Sequence, residues 1–222
     1  MWKLVIFDFD GTLVNTVSDV LDCFNKALAA DGFPPHTLES FQHFVGGDLE
    51  TIVTQLLPEK ARTEDNVSSV KARYRQLYQA SSKPNTAPYP GIMQLLDQLR
   101  KKGIRLAINS NKGQSLLNSI VEQLFPADLF QAVVGYLENR PSKPDPFGVH
   151  LICQACNCSL ADAVYIGDGK SDISTAYNAG IPCILVKWGQ GTQQVWEDSR
   201  VQWRVKTVSE LENILLGEAE LT

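Results

Sequence analysis

Asp8 and Asp10 stand two residues apart at the end of an apolar run, Leu4-Val5-Ile6-Phe7, and Gly11 follows them. An apolar run that stops at a polar turn marks a strand buried on both faces of a parallel sheet. With the backbone still extended there, the two carboxylates point the same way and repel each other unless a cation lies between them. Three more polar groups occupy comparable places. Ser110 and Asn111 follow an apolar run at 104–108. Asp168 follows a run at 163–166, inside Gly167-Asp168-Gly169-Lys170-Ser171-Asp172. Lys143 lies in Ser142-Lys143-Pro144-Asp145-Pro146, after a short run at 132–134. Taken singly, each is commonplace: a helix cap, a solvated lysine, a turn. In a parallel sheet, however, all strand C-termini share one edge, so residues remote in sequence meet in one crevice. Hard oxygen ligands without His or Cys select Mg2+ over zinc. Magnesium, a lysine, a hydroxyl and backbone amides together suit a phosphoryl group.

Positioning these groups requires strands that alternate with helices. From Ile92 onward the pattern does so: helix to Gly103, strand 104–108, helix 116–124, strand 132–134, helix 146–155, strand 163–166, helix to Ala179, strand 182–187 and helix 208–216. Such alternation predicts a parallel sheet with right-handed crossovers. Between the first strand and this series the pattern is helical only. Val17, Val20, Leu21, Phe24 and Leu28 keep helical spacing, with Thr16 or Ser18 as N-cap and Gly32 as stop. Short helical stretches at 38–44 and 49–57 flank Gly46-Gly47, and a longer helix over 63–80 carries Val67, Val70, Tyr74, Leu77 and Tyr78 on one face. A proline-rich linker spans 83–91. The expected class is α/β: a sheet core from residues 1–15 and 85–222, with an all-helical insert at 16–84.

The chain of 222 residues fits one large domain, or one domain with an insert. A net charge of −5 offers no basic surface for nucleic acid or anionic lipid. No apolar run reaches bilayer length, and charged Asp8 interrupts the first one too early for a secretory leader, so a cytoplasmic protein is expected. The five cysteines are expected to be reduced thiols. Cys153, Cys156 and Cys158 crowd together, but no second ligand cluster joins them to suggest zinc.

Asp8-Phe9-Asp10-Gly11-Thr12-Leu13, Ser110, Lys143 with Pro144 and Pro146, and Gly167-Asp168 with Asp172, Ala176, Ala179 and Gly180 resemble four ordered motifs. They are those of the haloacid dehalogenase superfamily, in its phosphoglycolate phosphatase-like branch with a helical cap. The resemblance covers essentially the whole chain, including the point of insertion. It departs at Asn15, where many relatives carry an acidic residue; that bears on substrate rather than on chemistry. The resemblance implies a Rossmann-like core and a Mg2+-dependent phosphatase. Asp8 would attack phosphorus to form an aspartyl-phosphate, and Asp10 would serve as acid and base. Magnesium would be held by Asp8, the Asp10 carbonyl and Asp168, with Asp172 as a further ligand or anchor. Ser110, Asn111 and Lys143 would hold the phosphate, Lys143 would pair with Asp8, and Lys112, Gly46 and the loop Lys187-Trp188-Gly189-Gln190-Gly191 would border the pocket. The presence of Asp10 points to phosphoryl transfer, since a dehalogenase has no leaving alcohol to protonate. The implied substrate is a small phosphorylated metabolite, phosphoglycolate or a sugar phosphate, for a monomer or homodimer without nucleic-acid or membrane partners. Alternatives are a phosphomutase, a phosphonoacetaldehyde hydrolase using a cap lysine (Lys60, Lys71 or Lys83), or a non-catalytic regulator.

Overall fold

Eight segments are extended in the computed structural model, which describes residues 2–41, 44 and 48–217. Gly46, expected at the pocket, lies outside the described residues. The strands are β1 (Leu4–Phe7), β2 (Val14–Asn15), β3 (Ala87–Pro88), β4 (Arg105–Gly113), β5 (Ala132–Tyr136), β6 (Ala163–Gly167), β7 (Cys183–Val186) and β8 (Trp203–Val205). The helices are α1 (Val17–Ala30), α2 (Leu38–Phe41), α3 (Leu49–Leu56), α4 (Glu64–Ala80), α5 (Ile92–Lys101), α6 (Gln114–Leu124), α7 (Phe147–Ala155), α8 (Lys170–Ala179), α9 (Gln193–Trp196) and α10 (Val208–Leu216). The chain divides into two compact units, Met1–Val14 with Pro88–Thr222, and Asn15–Ala87.

In the first unit six strands form one parallel sheet in the order β5-β4-β1-β6-β7-β8. Its centre is apolar on both faces because helices cover both, so every residue of β1, β6 and β7 is buried. Register sets the level of the strand ends. Phe7 stands abreast of Ile108 on one side and Ile166 on the other. Asp8, Ser110 and Asp168 lie just beyond that level, so they stand along one edge. Two features of this sheet depart from the sequence pattern. The strand expected to end at residue 108 continues to Gly113, and its register against β5 shifts between Asn109 and Gly113. Strand β8 has no counterpart among the expected elements; its three residues carry an exposed arginine at the centre and leave no apolar run to see.

The second unit is helical, with its own aromatic core. Phe24 of α1 stacks on Tyr74 of α4 at 3.8 Å between centroids, and Tyr74 on Tyr78 at 5.5 Å. Asp48 and Thr63 cap α3 and α4, each accepting a backbone N–H three residues on. At α1 the first of the two expected caps takes its position, but not with its side chain. Thr16 occupies the N-cap position without a side-chain cap bond, and the Val17 N–H is donated to Asn15 Oδ1 at 3.3 Å.

Asp19, buried in α1, fastens the end of this unit to its beginning. Its carboxylate accepts the Asn85 N–H at 3.0 Å, Asn85 Nδ2–H at 2.9 Å and the Thr86 hydroxyl at 2.7 Å. Hydrogen bonds to a charged acceptor each contribute about 1.5–3 kcal/mol, and orphaned buried donors cost more than the lost bonds alone. Asp19→Ala is therefore expected to remove about 3 kcal/mol of stability, seen as a lowered urea midpoint. A midpoint unchanged from the parent would show that these bonds hold nothing in place.

Candidate active site

The edge at the ends of β1, β4 and β6 gathers four charged side chains in a space that excludes most water. One carboxylate oxygen each from Asp8, Asp168 and Asp172 lies within 4.8 Å of the others, and all three residues are buried. Lys143 enters from the loop before α7, with its Nζ 2.8 Å from Asp8 Oδ1 and 2.7 Å from Asp172 Oδ1. Pairing with Asp8 matches the expectation; pairing with Asp172 is additional.

Local structure explains each position. Gly11 has φ +82°, and a Cβ there would come within 2.5 Å of Asp168 Oδ2, so only glycine lets the turn after β1 approach that carboxylate. Asp168 is held from both sides, Oδ1 accepting the Thr12 hydroxyl at 3.1 Å and Oδ2 the Gln190 N–H at 2.7 Å. Asp172, in the first turn of α8, reaches back so that Oδ2 accepts the N–H groups of Asp168 and Gly169 at 3.2 and 2.9 Å. That is a reciprocal cap in which an acidic side chain closes the N-terminus of its own helix. A Cβ on Gly167 would collide with this carboxyl group, which accounts for the glycine at the end of β6.

Asp10 does not join the trio. The strand ends at Phe7, the chain turns through Phe9 and Gly11, and the Asp10 carboxylate is instead gripped by Lys112 Nζ at 2.8 and 3.1 Å. The extended backbone that would set Asp8 and Asp10 side by side is therefore absent. Ser110 is buried and accepts the Lys112 N–H at 3.2 Å. Asn111 donates from Nδ2 to the Lys143 carbonyl at 3.2 Å, and its Oδ1 is buried without a partner. Thr12 and Tyr165, whose hydroxyl donates to the Asn109 carbonyl at 3.0 Å, are additions that sequence reasoning missed, whereas the loop 187–191, expected at the border of the pocket, supplies the Gln190 N–H to Asp168. Gln190 had a signal in its flanking Gly189 and Gly191, both of which press on Asp168.

Residues 5–186 match the family of haloacid dehalogenase-like hydrolases. The chain belongs to that family. It is an enzyme, a hydrolase, with the parallel α/β sheet of the family's solved structures. Phosphoglycolate phosphatases are among its curated relatives: that of Agrobacterium fabrum is 31% identical over 84% of this chain and 81% of its own. That of Pseudomonas putida is 29% identical over 84% of this chain and 70% of its own. A candidate phosphoglycolate phosphatase from Lactobacillus delbrueckii subsp. bulgaricus superposes with a TM-score of 0.91 at 30% identity, over 97% of this chain and 99% of its own.

In this haloacid dehalogenase-like hydrolase the electrostatics of the edge are unbalanced. Burial first, then the charge of Asp172, push the Asp8 carboxyl well above the usual carboxylate range, and Lys143 offsets only part of this. Burial and Asp172 likewise push Asp168 up to about 7. For Lys143, burial opposes the charge, but the carboxylates of Asp172 and Asp8 outweigh it and hold the ammonium charged. Fully ionised, three carboxylates against one ammonium leave two negative charges uncompensated. At about 4 Å and an effective dielectric near 20, each like-charge pair costs roughly 4 kcal/mol. The donor set is all oxygen and the missing charge is double and positive, so these residues fit a hard divalent cation such as Mg2+.

Proposed function

We propose that the protein is a Mg2+-dependent phosphatase that hydrolyses a small phosphate monoester through an aspartyl-phosphate on Asp8. The observation that carries this is the buried Asp8–Asp168–Asp172 trio with Lys143 against two of its members. Asp8, Asp168 and the Asp10 carbonyl would hold the cation. Asp172, whose two oxygens already accept from Lys143 and from the Asp168 and Gly169 N–H groups, would anchor the lysine and the loop. Magnesium, when bound, supplies the positive charge that lets an anionic nucleophile meet an anionic phosphate.

The chain's own residues do the rest. Asp8 attacks phosphorus in line, and Lys143 and the Ser110 hydroxyl hold phosphoryl oxygens as charge develops on them. Asn111 and the backbone N–H groups near Phe9 and Asn111 add donors. Asp10 gives its proton to the departing oxygen, then takes one from the water that opens the acyl phosphate. Lys112, ion-paired to Asp10, keeps that carboxyl group out of the trio. Residues 16–84 are the cap that selects the substrate, with 1–15 and 85–222 as the catalytic core. Phosphoglycolate, for which the relatives are named, heads the candidate substrates, with sugar phosphates next; the enzyme works in the cytoplasm, as monomer or homodimer.

Release of inorganic phosphate from a panel of phosphorylated metabolites tests this. Millimolar Mg2+ should support turnover of at least one two- to six-carbon phosphate monoester, and EDTA should stop it. Isomerisation of a hexose phosphate without free phosphate would select a mutase instead. Full activity in EDTA would overturn the cation's role.

A further inference from the structure

At the far end of the sheet from Asp8, helix α7 finishes in a turn that carries Cys158 back toward Cys153. Asn157 takes a left-handed conformation, φ +48°. The Asn157 N–H is donated to the Gln154 carbonyl at 3.1 Å, and the Cys158 N–H to the Cys153 carbonyl at 2.9 Å. This crossed pair of bonds is a Schellman ending, which frequently sets the side chain two places beyond the cap against the one three places before it. Here those two residues are Cys158 and Cys153. Cys153 is buried in the core of the first unit and Cys158 is half-buried against that core. Arg105, the first residue of β4, donates from Nη1 to Cys158 Sγ at 3.1 Å and sets a permanent positive charge beside that sulfur. The three thiols do not form a metal trio: among the described residues the only such convergence of His, Cys, Asp and Glu is Asp8, Asp168 and Asp172.

We propose that Cys158 and Cys153 are a peroxide-reactive dithiol that closes reversibly to a disulfide. The Cys158 thiolate attacks a hydroperoxide oxygen, the O–O bond breaks, and Cys158 becomes a sulfenic acid while the other oxygen leaves as hydroxide or alkoxide. The Cys153 sulfur then displaces the sulfenic hydroxyl, which departs with the Cys153 proton as water, and the S–S bond forms. Two thiols are oxidised by two electrons and the peroxide is reduced by two. A small dithiol reverses the reaction by exchange. The division of labour follows from environment. Cys158 is reachable and has the guanidinium. Burial first, then the neighbouring sulfurs, push the Cys153 thiol up to about 11, so it reacts only once a sulfenic acid is in contact. Cys156 occupies the cap position itself and stands outside the folded-back pair.

The test treats the reduced full-length protein with hydrogen peroxide and maps its thiols by mass spectrometry without reduction. The expected product is a Cys153–Cys158 link, with the loss of two hydrogens, reversed by dithiothreitol. Cys153→Ala should leave a dimedone-reactive sulfenic acid at Cys158. Arg105→Gln should slow linkage by about tenfold, equivalent to about 1.4 kcal/mol of charge stabilisation. A Cys156–Cys158 link, thiols that stay reduced while the folded protein is exposed to excess peroxide, or a rate untouched by Arg105→Gln would overturn the proposal.

Discussion

Asp8→Asn is expected to lower kcat for phosphate release by at least about ten-thousandfold while the fold stands, the range seen when a hydrolase loses its nucleophile. An amide in that position cannot form the acyl phosphate, and each tenfold corresponds to about 1.4 kcal/mol of barrier, so the loss exceeds about 5.5 kcal/mol. The same substitution should not lower thermal stability. In the folded protein the Asp8 carboxyl is pushed well above its ordinary value, because burial, Asp172 and Asp168 disfavour the ion more than Lys143 favours it. For an acid shifted upward, the stabilising contribution is complete below the unfolded value of 3.8 and is lost as pH rises through the folded value. An uncharged isostere escapes that loss, and Lys143 keeps Asp172 as its partner at 2.7 Å. Melting in EDTA should therefore show Asp8→Asn equal to the parent near pH 4 and at least as stable at pH 8. Borohydride quenching during turnover should convert Asp8 of the parent to homoserine and leave the variant unmodified. Phosphate release by a folded Asp8→Asn protein at near-parental rate would remove Asp8 as nucleophile.

How much of the fold is legible in the chain depends on where the sheet is buried. Residues 4–7, 163–166 and 183–186 are apolar without interruption because helices cover both faces, and such runs stand out against polar turns. Asp8, Asp168 and Ser110 could be placed because each closely succeeds such a run, and parallel pairing levels the strand ends. The extension of β4 through Asn109, Ser110, Asn111 and Lys112 could not, since its residues are those of a loop and only pairing near Tyr136 makes them a strand. The hold of Lys112 on Asp10 was invisible for a different reason. It spans 102 positions and depends on the turn at Gly11, which carries Asp10 out of line with Asp8. Gln190 reaches Asp168 from the loop after β7, and nothing in its residue type announces a backbone N–H. Side-chain chemistry at strand ends was legible, whereas backbone donors and long-range ion pairs needed the folded chain.

Lys143→Met should be the most destabilising single change at this edge, and its cost should depend on pH. The methionine fills similar volume, so packing is nearly kept while the positive charge that Lys143 sets against the three buried carboxylates is lost. Removing one partner of a buried ion pair costs about 3–5 kcal/mol, because the other is left uncompensated. Lys143 is itself shifted upward, so its contribution is complete at any pH below its unfolded value of 10.5 and covers the whole working range. The carboxylates decide where its loss is felt. Asp168 is protonated below about 7 and Asp8 is also shifted upward, so at pH 5 these two carboxyl groups add less negative charge for the lysine to balance. Urea unfolding in EDTA should show a deficit of about 3–5 kcal/mol at pH 8.5 and a clearly smaller one at pH 5. Phosphate release should fall by about a hundred- to a thousandfold, the effect of removing one transition-state donor. Magnesium should still bind, and should raise the melting temperature of the variant by more than it raises the parent's, since a cation there replaces the missing charge. An equal deficit at both pH values would mean that Lys143 matters for its shape, and the charge balance proposed for this edge would fall with it.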